Sequence, residues 1–141
     1  MGLFQAFDIS ASGMTAERFR MDTIAQNIAR TEDGTPYRRK IVTFAEKTET
    51  PFSQYYETAR ARAVGNGVKV TSVKEDDETE MRMVYDPSHP DADENGYVTY
   101  PNVNTVTEMT NLIDATRAYE ANTTAFDATK SMVQAALNIS K

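Results

Sequence analysis

The sequence predicts an α+β protein with long N- and C-terminal helices packed as an antiparallel coiled coil and a small β-rich middle domain inserted between them. Three observations carry this. Phe7, Met14, Met21 and Ile28 recur every seven residues near the N-terminus. Leu112, Tyr119, Phe126 and Val133 do the same near the C-terminus. A seven-residue apolar period keeps one narrow face of a helix in register with a partner helix. Between the seams the pattern changes to short apolar runs broken by Gly, Asn and Asp. The expected division is residues 1–30 and 104–141 for the helical domain and 31–103 for the middle domain.

The first helix is expected from Leu3 to Ala29, roughly 40 Å at 1.5 Å per residue, with Leu3, Phe4 and Ile24 on its seam face. Gly13 lies inside it and costs about 1 kcal/mol relative to Ala. It reads either as a tolerated weak spot or as a close helix–helix approach beside Ala11 and Ala16. Thr31 to Pro36 is dense in turn-forming residues and ends the helix.

The middle segment contains three strand candidates: the run Ile41, Val42, Phe44; the near alternation Val68, Val70, Val73 after Gly65-Asn66-Gly67; and Met81 to Tyr85. The four acids Glu75 to Glu78 read as a solvated loop. Pro51 to Ala63 is open between a loop and a short helix.

The last helix is expected from Asn104 or Thr105 to about Ile139. Thr105-x-x-Glu108 fits a capping box, and Asn104 is an equally good cap. Some 35 residues without Pro or Gly would make a helix of about 50 Å. Met109, Ala115, Ala136 and Leu137 lie beside its seam. A second stripe, Ala118, Ala121, Ala125, Ala128, Met132 and Ala135, sits roughly 140° around the helix from the first. Small side chains allow close approach, so this face is expected to meet another subunit, against the plainer reading that Ala is a good helix former on an exposed face.

Composition narrows the function. The chain has 141 residues, is 40% hydrophobic with no Trp, and carries a net charge of −6, which supports one modest core. An acidic balance argues against nucleic-acid binding, which needs a basic face, and against an anionic membrane surface. Without cysteine there are no disulfides or thiolate metal sites; that suits a chain crossing unfolded into an oxidising space. Gln5, Asp8, Glu17 and Arg18 interrupt any signal-like apolar run. Ala6 breaks the myristoylation pattern, and no apolar stretch approaches the length of a bilayer span.

Few residues could carry chemistry. Asp91, Asp93, Asn95 and Gly96 occupy positions 1, 3, 5 and 6 of an EF-hand-like loop over 91–102, with Val98 at position 8. Asn102 cannot supply the bidentate carboxylate of position 12, and Pro101 stands where the exiting helix should begin. A turn is the plainer account, and a calcium-binding module is the alternative. His89 is the single histidine, so neither a triad nor a two-histidine metal site is placed, and no cofactor is expected. Arg38-Arg39-Lys40 is a basic cluster expected to meet an acidic surface on another subunit.

Particular words then carry a resemblance. Phe7 to Ala29 (F-D-I-S-A-S-G-M-T-A-E-R-F-R-M-D-T-I-A-Q-N-I-A) resembles the start shared by flagellar axial proteins. Pro36 to Lys40, Gly67 to Val70, Tyr85 to Asp93, Gly96 to Val98, Tyr100 to Asn104 and Arg117 to Asn122 resemble more narrowly the proximal rod proteins of the bacterial flagellar basal body, of the FlgC type. Arg30 and Thr105 depart from that pattern, which usually has Asn and Pro there. The resemblance covers nearly the whole chain in order. It implies a non-enzymatic drive-shaft subunit, exported unfolded by the flagellar type III apparatus without a cleaved signal and assembled in the periplasm for motility. Its terminal helices would line the export channel and its middle segment would form an outer domain. Its implied partners are other rod proteins, further copies of itself and the membrane-embedded ring at the rod base.

Overall fold

The computed structural model describes residues 3–30, 37–47 and 65–139. The expected turn over Thr31 to Pro36 and the open stretch Pro51 to Ala63 lie outside the described residues. In chain order the elements are α1 (Leu3–Ala29), β1 (Lys40–Glu46), β2 (Val68–Glu75), β3 (Arg82–Tyr85), β4 (Tyr97–Tyr100) and α2 (Thr105–Ile139). The chain is therefore α+β: two long helices and, among the described residues, two two-stranded sheets, β1–β2 and β3–β4.

The strands follow the local pattern. In β1, Val42 and Phe44 are half-buried while Ile41, Thr43 and Ala45 are exposed, the period of two that one covered face requires. The Lys47 N–H donates to the Gly67 carbonyl (2.9 Å) at one end and the Asp76 N–H to the Arg39 carbonyl (2.8 Å) at the other, so β1 and β2 run antiparallel. The β3–β4 hairpin pairs Arg82 with Tyr100, Met83 with Thr99, Val84 with Val98 and Tyr85 with Tyr97. Its cross-strand pairs hold it together: the Tyr85 and Tyr97 rings meet edge-on at 5.2 Å, and the Arg82 guanidinium lies 5.1 Å from the Tyr100 ring centre.

Strand β4 corrects the expectation. Tyr97 to Tyr100 alternates aromatic and β-branched residues, the chemistry of a pleated surface, yet it stands inside the segment read as an EF-hand-like loop. At the start of α2 the structure decides between the two expected caps. Asn104 caps it, its Oδ1 accepting the N–H groups of Val106 (3.0 Å) and Thr107 (3.2 Å). The Thr105–Glu108 box is not what holds the helix start; the Glu108 carboxylate points into the protein instead.

The chain groups into two compact units, Met1–Phe19 with Phe44–Thr71 and Thr116–Lys141, and Arg20–Thr43 with Ser72–Ala115. Each draws on both helices and on the middle segment, so this grouping does not coincide with the boundaries at 30/31 and 103/104 expected from pattern. In the first unit the helices meet in antiparallel order. Phe7 packs edge-on against Phe126 with ring centres 4.8 Å apart, and the Thr123 hydroxyl reaches the Met14 sulfur at 3.4 Å. A Cβ on Gly13 would lie 2.9 Å from the Asn122 amide, so Gly13 marks a close approach. Here also the Val68 N–H donates to Ser12 Oγ (3.1 Å). Gly67 has φ of +95°, and any side chain there would overlap Ser12.

The seam residues Phe7, Met14, Met21, Ile28, Leu112, Tyr119, Phe126 and Val133 are half-buried and Ile24 is buried. Four residues expected on the same faces are not: Phe4, Met109, Ala136 and Leu137 are exposed. Length explains two of them. Helix α2 has 35 residues and α1 has 27, an excess of 35 − 27 = 8. Starting from Phe7 against Phe126, an antiparallel α1 runs out near residue 130, before Ala136 and Leu137. Met109 is turned away because its neighbour Glu108 takes the inward direction.

Candidate functional site

No group of three or more His, Cys, Asp or Glu able to hold a metal occurs among the described residues. What the second unit contains instead is a buried polar junction, and its largest fully buried side chains are not all apolar. Asn27 is 0% and Glu108 1% exposed, alongside Val98. Asn27 comes from the last turn of α1, Glu108 from the first turn of α2, and Arg39 and Lys40 from the entry to β1.

Each group at the junction is satisfied. Asn27 Oδ1 accepts the Tyr37 hydroxyl (2.8 Å) and the Lys40 N–H (3.0 Å). Its Nδ2 donates to the Lys40 carbonyl (2.9 Å) and to Glu108 Oε2 (3.0 Å). All four hydrogen-bonding positions of the amide are used. Glu108 Oε1 receives the Arg39 Nε (2.9 Å), the Arg39 Nη2 (2.8 Å) and the Asn111 amide (3.2 Å). A carboxylate so far from water is tolerable only when paired and fully hydrogen-bonded, which is the case here. Burial pushes the Tyr37 phenol above its ordinary value; the nearby Arg30 opposes this, and Glu75 and Glu108 add to it.

A second layer surrounds the first. Asn102 Oδ1 accepts the Arg39 N–H (2.8 Å), while its Nδ2 donates to the carbonyls of Asp76 (2.9 Å) and Thr79 (3.0 Å). Asp76 in turn closes a turn of its own. Its carboxylate accepts the Thr79 N–H and hydroxyl and the Glu78 N–H. The Thr79 contacts lead in holding its pKa below the usual carboxylate value, with Glu78 and Arg39 assisting and burial opposing. The acidic run Glu75 to Glu78 is thus part structural, not merely a solvated loop.

Two residues of the basic cluster are already paired within the chain. Arg39 pairs within the chain with Glu108 and, at 3.7 Å, with Asp76. Arg38 pairs with Asp77 at 3.1 Å and donates to the Asp76 carbonyl at 3.2 Å. Only Lys40 of the three points to no carboxylate among the described residues; its ammonium lies 5.8 Å from the Tyr37 ring centre.

In the EF-hand-like segment the acids make turns. Asp93 Oδ1 accepts the N–H groups of Asn95 (2.9 Å) and Tyr97 (2.8 Å), and Gly96 takes φ of +81°. Asp86 does the same for Ser88, whose hydroxyl and N–H hold its pKa low against the burial that raises it. The Asp91 N–H donates to His89 Nδ1 at 3.2 Å. The Asp86 and Asp93 carboxylates are thus spent on turns, and nothing favours the calcium reading. On the second stripe of α2, Ala118 is half-buried, whereas Ala121, Ala125, Ala128 and Met132 are exposed.

Asn27 and Tyr37 were not singled out from sequence, while Asp76, Asn102 and Glu108 were read for other roles: a solvated loop, a failed calcium position and a helix cap. A signal existed for two of them: Asn27 is a polar residue three positions from Ile24, and Glu108 shares a face with Leu112 and Ala115. Polar groups on an apolar face mark either an error of pattern or a buried partner.

Comparison with known proteins agrees along the chain. Residues 94–139 match the family described as flagellar basal body rod FlgEFG protein C-terminal. The chain is 43% identical to the flagellar basal-body rod protein FlgC of Borreliella burgdorferi, over 99% of this chain and 98% of that one. Identity is 42% to the Bacillus subtilis FlgC over all of both chains, and 39% to the Salmonella typhimurium FlgC over 99% and 98%. With relatives of this identity matched from end to end, the chain belongs to the FlgC family of flagellar basal-body rod proteins.

Proposed function

We propose that the chain is a structural subunit of the proximal rod of the bacterial flagellum, and that it performs no catalysis. The observation that carries this reading is the 43% identity over nearly the whole chain to a protein named as a basal-body rod component. The structure supports it in two ways. Its side chains are organised for holding a fold together, with polar groups spent on backbone and on each other. Its longest helix also leaves an Ala and Met face open along Ala121, Ala125, Ala128 and Met132, which small side chains suit to close contact with a neighbouring helix.

In the assembled rod the terminal segments 1–30 and 104–141 form an inner coiled-coil layer lining the export channel, and 31–103 forms an outer β-containing domain. Phe7, Met14, Met21, Ile24, Ile28, Leu112, Tyr119, Phe126 and Val133 make the seam; the Ala118, Ala121, Ala125 and Ala128 stripe meets a neighbour. Further copies, other rod proteins and the ring at the rod base are the partners, reached in the periplasm after type III export. The test replaces the resident rod gene by this chain in a flagellated bacterium. Wild-type chain restores swimming and appears in purified basal bodies. An Ala125→Glu variant folds, is exported and fails to build a rod. If the variant swims normally, the stripe is not an assembly surface.

A further inference from the structure

Beside the junction, in the second unit, Gln26, Arg30, Tyr37, Arg38, Lys40 and Glu75 line a cleft of about 620 Å³. Its cations are unequal. Arg38 is spent on Asp77 and the Asp76 carbonyl. Arg30 and Lys40 meet no carboxylate among the described residues; their charged heads lie 5.4 and 5.8 Å from the Tyr37 ring centre. That ring is fixed in place, because its hydroxyl donates to the buried Asn27 amide. Among the described residues the cleft thus has a rigid aromatic wall, two cations that meet no carboxylate and Glu75 as its one lining acid, in a chain whose net charge is −6.

We infer that this cleft is a docking site for a carboxylate-bearing segment of a neighbouring protein subunit, centred on Arg30, Tyr37 and Lys40. The inference rests on the rod-subunit reading and adds the chemistry of one contact. A compact phosphate suits the site less well. Phosphate sites draw on converging N–H groups at a helix N-terminus, and the lining offers none: Gln26 and Arg30 stand at the end of α1, and Tyr37, Arg38 and Lys40 lead into β1. Two long cations around one ring suit spaced carboxylates on a peptide. Arg39, which sequence grouped with Lys40, is excluded because Glu108 holds it.

The test uses basal bodies assembled from the full chain carrying a photo-crosslinking residue, Gln26→p-benzoylphenylalanine, at the exposed rim of the cleft. A parallel sample carries the same residue as Met132→p-benzoylphenylalanine, replacing a side chain of the α2 stripe that is already large and exposed. The expected result is an intermolecular adduct from position 26 that maps by mass spectrometry to a segment with two or more Asp or Glu. The Arg30→Gln/Lys40→Gln double variant should lower its yield about fivefold, as the loss of two exposed pairs predicts, with the free protein's melting unchanged. Adducts only within the chain, adducts to a segment without acids, or a yield indifferent to the double variant would overturn the inference. If position 132 crosslinks and position 26 does not, the cleft assignment fails alone. If the chain is missing from the purified basal bodies, the rod reading fails with it.

Discussion

Asn27 is the residue on which most depends. Its amide meets the Tyr37 hydroxyl, both polar groups of the Lys40 backbone and the Glu108 carboxylate, so truncation orphans four groups at once. A buried polar group left unpaired costs about 1–3 kcal/mol, and relaxation around so small a side chain is partial. Asn27→Ala should therefore lose about 3 kcal/mol in urea unfolding, a large share of a small domain's stability. Asn27→Asp should do worse at neutral pH, because a carboxylate then faces Glu108; part of the loss should return on acidification, as the new acid takes up a proton. An Asn27→Asp variant whose deficit is the same at pH 5 and pH 7 would refute the Asn27–Glu108 contact. Tyr37 reports from the alkaline side. Its folded pKa is raised above the ordinary 10.0, so its contribution is complete below the unfolded value and disappears as pH climbs through the folded one. Tyr37→Phe should flatten that alkaline decline while costing about 1 kcal/mol at neutral pH for the lost hydrogen bond.

At the scale of elements, the turn at Asp76 and the packing at Gly13 can each be tested separately. Asp76 has a folded pKa below its unfolded one. Its stabilising effect is thus present above the unfolded value and is lost as pH falls through the folded one. Asp76→Ala should shallow the acid limb of the stability curve; an unchanged limb would mean the Thr79 contacts add nothing. Gly13→Val should destabilise by about 1–2 kcal/mol, since overpacking costs about 1–3 and the gain in helix propensity over Gly is a few tenths. The elements themselves were largely legible from sequence. The seven-residue seams, the alternation in Val68 to Val73 and the Pro-free C-terminal run each obey one local rule. Strand β4 was hidden because Asp, Asn and Gly before it and Pro101 after it also spell a loop. The junction was hidden for a different reason. Asn27, Arg39, Asn102 and Glu108 are far apart in sequence, and no periodicity encodes a hydrogen bond between positions separated by 81 residues, as in Asn27 to Glu108. A capping motif at Thr105–Glu108 even offered that carboxylate a local occupation it does not take.

For the whole molecule, stability should be uneven, and the unevenness should match the proposed role. A tightly satisfied junction anchors residues 20–28 to 104–115, whereas past Thr129 only Val133 of α2 is covered among the described residues. Local opening is easiest where few apolar contacts hold a segment, and a lone helix end depends on packing for its order. Amide exchange in the free protein should accordingly be slowest around Asn27 and Ala115, and fast from about Lys130 to Ile139. In purified basal bodies the same C-terminal turns should become protected, because neighbours would then cover Met132, Leu137 and the Ala stripe. Phe126 lies between these regimes, held edge-on by Phe7 at 4.8 Å. Removing a buried Phe costs about 3–5 kcal/mol, and Phe126 is only half-buried, so Phe126→Ala should lose about 2 kcal/mol. Its effect should fall on the Phe7 side of the helices and spare the junction: exchange at Asn27 and Glu108 should stay slow while that around Phe7 and Phe126 rises. Global loss of protection in that variant would mean that the two units do not unfold separately. Full protection at Lys130 to Ile139 in a dilute monomer would mean that α2 needs no neighbour, and the case for its open face as an assembly surface would collapse.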